Sequence, residues 1–156
     1  MSKDTWVMMH VGVVVRNMEQ AVAYYKSLGL VSSESPDIVL DSDRFGDNLL
    51  TLGRKHGSKW KIKIKMVNLG PLTLELTEPL EGDNVNGQYL KTIGEGANHI
   101  AYACDDLEKE HQEMLKKGIP AIYYAKGEYA YYDTRKSGNL IIELRPKSAL
   151  RPPPQR

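Results

Sequence analysis

The sequence predicts an α+β fold built from two βαβββ modules, and three observations carry that expectation. The first is an internal repeat: "HVGVVVRNMEQAVAYYKSLGL" from His10 and "HIAYACDDLEKEHQEMLKKGI" from His99 align without a gap, residue type by residue type. The second is a matched ending, "LTLEL" at Leu72–Leu76 against "LIIEL" at Leu140–Leu144. The third is a change of period inside each copy, from the alternation of a strand to the spacing of a helix. At 156 residues the chain suits one domain, 1–156, with repeat one about 6–80, repeat two about 96–146, and a flexible tail over 147–156.

Each copy opens with a β-rich run of alternating side chains, from His10 in one and His99 in the other. A polar capping position follows, Asn17 or Asp105–Asp106, ahead of an apolar first helical residue, Met18 or Leu107. Met18, Val22 and Tyr25 then form one helical stripe, and Leu107, Met114 and Leu115 the other. Gly29 and Gly118 stand where a left-handed residue ends a helix. Two further strands fit before each closing strand. Candidates are Asp37–Leu40 or Asn48–Leu52, then Lys61–Val67, in the first copy, and Ile119–Tyr124 and Tyr129–Asp133 in the second. The first copy carries extra chain between Leu30 and Pro71, where "SSESPD" and "RKHGSKW" read as loops.

Alternation sorts the strand side chains into faces. His10, Gly12 and Val14 share one face, as do His99, Ala101 and Ala103; the bulkier rows opposite should lie beneath the helices. Small residues in the histidine rows leave space beside each imidazole. Glu75 lies with Thr73 and Thr77, and Glu143 with Ile141 and Arg145, each opposite a leucine-type row. A mid-sheet carboxylate is costly if buried without a partner. A pseudo-twofold between the modules would bring His10, Glu75, His99 and Glu143 to one cavity, and two imidazoles with two carboxylates form a sound divalent-metal set. Such a set accepts Co, Ni, Zn, Mn or Mg. His56 and His111 have no repeat partner and read as surface residues.

The bulk numbers exclude several classes. Twenty-one basic and 20 acidic residues leave a formal charge of +1, so electrostatics give no reason to expect nucleic-acid or membrane binding. Cys104 is the single cysteine, which rules out an internal disulfide and favours a reducing, cytoplasmic setting. No apolar run reaches the roughly 20 residues of a membrane-spanning helix. The start of the chain lacks a signal-peptide pattern, and "RPPPQR" reads as an extended, inert terminus.

With these residues in place, residues 8–146 resemble the vicinal oxygen chelate superfamily, which includes glyoxalase I, methylmalonyl-CoA epimerase, bleomycin-resistance proteins and ring-cleaving dioxygenases. The telling pieces are "HVGVVVRNMEQAVAYYKSLGL", "VNLGPLTLELTEPLEGDN", "GEGANHIAYACDDLEKEHQEMLKKGI" and "SGNLIIEL". The pattern is closest to methylmalonyl-CoA epimerases and lactoylglutathione lyase-like proteins. The resemblance implies a curved, cup-like mixed sheet around a metal-binding cavity, and a homodimer. It also places the metal ligands on His10, Glu75, His99 and Glu143. It implies a metal-dependent lyase or isomerase acting on a small oxo-acid or acyl thioester. Such an enzyme abstracts a proton next to a carbonyl and stabilises the resulting enolate, with Glu143 or Glu75 as the base.

The epimerases use a further glutamate on the strand before Glu75. Here that strand reads "KWKIKIKM", with Ile62, Ile64 and Met66 on the pocket row and Lys61, Lys63 and Lys65 opposite. A slip of one residue would turn Lys63 or Lys65 into the pocket instead. Glu78, in the apparent turn "TEPLEGD", is the remaining acidic candidate, and Tyr129 and Tyr131 share one row while Tyr132 takes the other. Two alternatives stay open: a non-catalytic small-molecule-binding protein of the bleomycin-resistance type, and a ring-cleaving dioxygenase relative.

Overall fold

The computed structural model of the chain describes residues 5–55 and 57–150. His56 and the terminal "RPPPQR" lie outside the described residues. Strand β1, Val7–Val14, runs down the middle of the molecule and leads into helix α1, Met18–Ser27. Asn17 caps that helix by accepting from the Gln20 N–H at 2.9 Å, and Gly29 follows its end with φ +70°. A short strand β2, Ser33–Glu34, comes from the stretch expected to be loop. Strand β3, Ile38–Asp41, a kinked 3-10 segment, Ser42–Asn48, and strand β4, Leu49–Thr51, follow. Both alternatives for this part of the chain are therefore strands. Two long strands, β5, Trp60–Leu69, and β6, Leu72–Gly82, complete the first half. The "TEPLEGD" segment is thus strand rather than turn through most of its length.

Helix α2, Val85–Thr92, joins the halves. The second half repeats the plan with β7, Gly96–Cys104, α3, Leu107–Lys116, β8, Ala121–Ala125, β9, Tyr129–Tyr132, and β10, Ile141–Pro146. Lys147–Ala149, expected to begin a flexible tail, form one 3-10 turn, and Lys147 pairs with Asp105 at 2.9 Å.

The strands make one mixed sheet in the order β2-β5-β6-β1-β7-β10-β9-β8-β4, with β3 also on β5. Strands β1 and β6 are parallel, as are β7 and β10, while β1 and β7 meet antiparallel at the centre. The two halves therefore pair within one chain. Strand β3 joins β5 near one end of the sheet and β4 joins β8 at the other. Only the seven residues of the 3-10 segment separate β3 from β4. Such a segment spans about 14 Å at 2 Å per residue. The sheet must therefore curl until its ends nearly meet, and the chain from Ile38 to Thr51 straps them together.

Three apolar clusters follow from the two faces. Val15, Met18, Val22, Val67, Leu74 and Leu76 fill the space beneath α1. Cys104, Leu107, Met114, Tyr124, Tyr132 and Leu144 do so beneath α3. The third, with Phe45, Trp60, Ile62, Tyr129 and Tyr131, lines the inside of the cup. The bulkier strand rows lie under the helices, as alternation requires.

His111 differs from expectation. It is buried beneath α3, stacked on Tyr124 with ring centroids 3.8 Å apart, and 3.1 Å from the Tyr132 hydroxyl. Leu115 is exposed instead. The inward stripe is Leu107, His111 and Met114, spaced four and three, and His111 holds the core position that Val22 holds in α1.

Candidate metal centre and its cavity

Four side chains from four neighbouring strands converge on the inner face of the sheet. His10 projects from β1, Glu75 from β6, His99 from β7 and Glu143 from β10; their exposures are 1, 6, 0 and 3%. Register explains the meeting. Gly12 faces both Glu75 and His99 across its two ladders, and Ala101 faces both His10 and Glu143. The small residues are required: a Cβ on Gly12 would sit 1.7 Å from Cε1 of His99.

His10 Nε2 lies 3.4 Å from Glu75 Oε2 and 3.2 Å from Glu143 Oε2. His99 Nε2 lies 3.6 Å from Glu75 Oε1, 3.3 Å from Glu143 Oε2 and 3.3 Å from His10 Nε2. The four ligand atoms all fall within 4.8 Å of one another. Nitrogen and oxygen atoms held at about 2.1 Å from one ion, at angles of 90–120°, are separated by about 3.0–3.6 Å. The set therefore fits a divalent ion in spacing and in donor type. Glu143 Oε2 adds to the case: it is buried and makes no well-directed hydrogen bond among the described residues.

Electrostatics bind the four groups to one another. Burial works against a charge on His10, but the Glu75 and Glu143 carboxylates outweigh it and raise its pKa above the ordinary histidine value. Burial favours the neutral acid at Glu143, yet the His10 and His99 imidazoles prevail and hold the carboxyl well below the usual range. Glu143 is therefore ionised, as a ligand or a proton acceptor must be.

A polar relay fixes the His99 ring. Asn98 Nδ2 donates to Asn86 Oδ1 at 2.6 Å, which leaves Asn98 Oδ1 to accept from His99 Nδ1 at 2.8 Å. With the proton on Nδ1, the Nε2 lone pair faces the cluster. Tyr131 places its hydroxyl 3.4 Å from that nitrogen, and burial, with the Glu143 and Glu75 charges, pushes its pKa well above the usual value. Neither Asn98 nor Asn86 is visible as a site residue in the sequence, though Asn98 precedes a candidate ligand.

Glu75, Glu143 and Tyr131 border a cavity of about 100 Å³ inside the cup. Ile62 and Ile64 line it, so the isoleucine row of β5 is the inward one. Lys63 and Lys65 point away, to Glu78 at 3.4 Å and Asp37 at 2.9 Å. Glu78 is likewise outside, accepting from the Met18 N–H at the start of α1 at 2.8 Å. Tyr129 and Tyr131 face the cavity, whereas Tyr132 lies beneath α3. The strap contributes Leu40, Arg44 and Phe45, and Arg44 pairs with Glu128 at 2.9 Å.

Fold and site together define a curved, open cup of paired modules with two imidazoles and two carboxylates gathered beside one cavity. The chain belongs to the Glyoxalase/Bleomycin resistance protein/Dioxygenase superfamily, whose family model matches residues 9–135. It is 27% identical over 115 residues to the uncharacterized protein YqjC of Bacillus subtilis (strain 168), covering 68% of this chain and 82% of that one. It is 28% identical over 115 residues to the mitochondrial methylmalonyl-CoA epimerase of Homo sapiens, covering 72% of this chain and 54% of that protein, about half its length. Among solved structures, a hypothetical protein of Bacillus halodurans C-125 superposes with a TM-score of 0.64 at 21% identity, over 96% of this chain and 99% of that one. A Streptomyces coelicolor methylmalonyl-CoA epimerase in complex with 2-nitronate-propionyl-CoA gives 0.62 at 18%, over 94% and 98%. These two likenesses are of fold. Among the described residues no helix is long and apolar enough to cross a membrane.

Proposed function

We propose that the chain is a metal-dependent lyase or isomerase, methylmalonyl-CoA epimerase-like or lactoylglutathione lyase-like, that takes a proton from the carbon next to a carbonyl. The observation that carries this reading is the convergence of His10, Glu75, His99 and Glu143, all buried, beside a cavity large enough for a small ligand. A divalent ion held by the four would supply Lewis-acid stabilisation of the enolate's negative charge. Glu143 or Glu75 accepts the proton and returns it, while the inner sheet face and the strap keep water from the reacting carbon. Epimerisation needs a second acid–base group on the opposite side of that carbon. Strand β5 lines the cavity with Ile62 and Ile64, and the cavity's carboxylate outside the cluster, Glu128, is held by Arg44. One carboxylate doing both transfers would serve the lyase-like reaction, whereas the epimerase-like reaction would divide them between Glu75 and Glu143. The reading takes the chain as one domain and the protein as a cytoplasmic homodimer, in keeping with its single buried cysteine.

The test is metal content after stripping and reloading with Co²⁺, Ni²⁺, Zn²⁺ or Mn²⁺, followed by α-proton exchange in D₂O. The substrates are methylmalonyl-CoA and the hemithioacetal of methylglyoxal and glutathione. About one ion per chain, lost in Glu143→Gln, with exchange only in the loaded protein, is expected. No retained ion under any loading would sink the proposal.

A further inference from the structure

The middle of the strap, Ser42–Asn48, is an addition to the repeat, since the second half runs from α3 directly into β8. Its ends are tied to the sheet: Ser42 Oγ accepts from the Trp60 N–H at 3.0 Å, and the Asn48 carbonyl accepts from the Lys126 N–H at 3.3 Å. Between those ends the ties run through side chains. Asp43 pairs with Lys59 at 2.8 Å, Asp47 with Lys55 at 3.7 Å and Arg44 with Glu128 at 2.9 Å, all with side chains 42–80% exposed. Exposed ion pairs hold weakly and are screened by salt. Gly46 breaks the segment at φ +51° and ψ −133°, a conformation that glycine adopts without a steric penalty. No described residue lies within 4 Å of where its Cβ would stand, so the chain has room to pivot there.

Beneath this segment lies the cavity. Phe45, 4% exposed, turns inward against Tyr129 and Trp60, with ring centroids 5.6 and 6.4 Å away. The Arg44 guanidinium lies 5.0 Å over the Phe45 ring. Arg44 and Glu128 both border the cavity, and their side chains are exposed where Phe45, Trp60, Tyr129 and Tyr131 are buried. The ion pair therefore stands on the solvent side of the cavity, joined to the ring that plugs it. The space left beneath is about 100 Å³, well below the roughly 300–1,000 Å³ of a site for a drug-sized ligand. Anything larger than a small head group needs the segment lifted.

We propose that Ser42–Asn48 is a gate over the cavity, with Phe45 as its plug, the Arg44–Glu128 pair as its latch and Gly46 as its pivot. Opening breaks exposed ion pairs and withdraws one ring, while β3 and β4 stay in the sheet, so it proceeds without unfolding the rest of the molecule. The inference concerns access to the cavity and goes beyond the proposed function; it requires no bound ion.

The test places a thiol beneath the gate, Ile62→Cys in a Cys104→Ala background, and follows its alkylation by iodoacetamide. Ile62 is 6% exposed and lines the cavity, so the labelling rate reports the fraction of molecules that are open. Tyr129→Cys supplies a second reporter from β9. Arg44→Gln and Glu128→Gln should each speed labelling about two- to fivefold, the worth of one exposed ion pair. Added salt should speed labelling with the latch intact and leave both variants unchanged. Arg44→Glu combined with Glu128→Arg should restore the original rate. Lys116→Gln, which breaks an exposed pair on α3, should not alter it. Low urea should change the rate little, because a local opening exposes little surface. Unchanged labelling in both latch variants overturns the gate, as does a rate that climbs with urea as steeply as global unfolding. Labelling as fast as in the unfolded chain also overturns it. Metal loading and α-proton exchange are measured separately, so the gate and the proposed function can each fail while the other stands.

Discussion

Gly12 shows how much of the site rests on one missing methyl group. Its Cα is flanked by the Glu75 and His99 positions, and the His99 ring fills the place where its Cβ would stand. In Gly12→Ala the ring must turn away or the β1–β7 ladder must open. Overpacking of this kind costs about 1–3 kcal/mol. The expected outcome is a lowered melting temperature together with at least tenfold weaker zinc binding, read by competition with a chromophoric chelator. Wild-type zinc affinity in the variant would show that the ring has another place to sit. Asn98 acts on the same ring from the other side. Removing a partner that orients a metal-ligating histidine costs about 10- to 100-fold in metal affinity. Asn98→Ala should fall in that range. Asn98→Asp keeps an acceptor for Nδ1–H, with the Asn86 amide turned to donate, and should recover most of the loss. Equal losses in both variants would show a packing role only.

On α3 the informative residue is His111, because its burial gives the helix a pH dependence that is independent of the cluster. Burial lowers its pKa below the ordinary 6.5, and the nearby Glu108 offsets this only in part. A histidine whose folded value is depressed contributes fully above its unfolded value, and the contribution falls away as pH drops through the folded value. Stability should therefore decline below about pH 6.5, and His111→Phe should flatten that decline in melting curves between pH 7 and 5. An unchanged slope would assign the decline to other groups. His111 is legible in one sense: the repeat aligns it with Val22, a core position, while its ionisable ring argues for the surface. The four converging side chains were readable because period two leaves no choice of face once one residue is placed, and the repeat states the pattern twice. The 3-10 segment of the strap and α2 are not. Ser42–Asn48 has a single large apolar residue, Phe45, among polar ones, and α2 carries Gly87 and Asn86, both weak helix formers. Distant partners hold both elements: Ser42 Oγ accepts from Trp60 N–H at 3.0 Å, and the Tyr123 hydroxyl accepts from Val85 N–H at 3.1 Å. Such bonds leave no local signal.

For the whole molecule, the consequential feature is the junction of β1 and β7 inside one chain. It puts His10 beside His99 without help from a second copy, and the flanking β6 and β10 add both glutamates. A protein that instead exchanged modules across a dimer would build each site from one half of each chain. The two arrangements separate in a mixing experiment. His10→Ala damages the first module and Glu143→Gln the second, so each chain alone has a broken site. Refolded together, chains with exchanged modules would regain one intact site in every mixed dimer, joining the undamaged second module of one to the undamaged first module of the other. With the modules paired in-chain, every site keeps its own lesion. The expected outcome is no tightly held zinc in the mixture beyond that of either variant alone. Wild-type chains diluted below any dimer dissociation should still hold one ion each, and ion binding should raise their stability by about 2.7 kcal/mol when free zinc is a hundredfold above its dissociation constant. Zinc recovered on mixing would mean that the solution form pairs β1 of one chain with β7 of another.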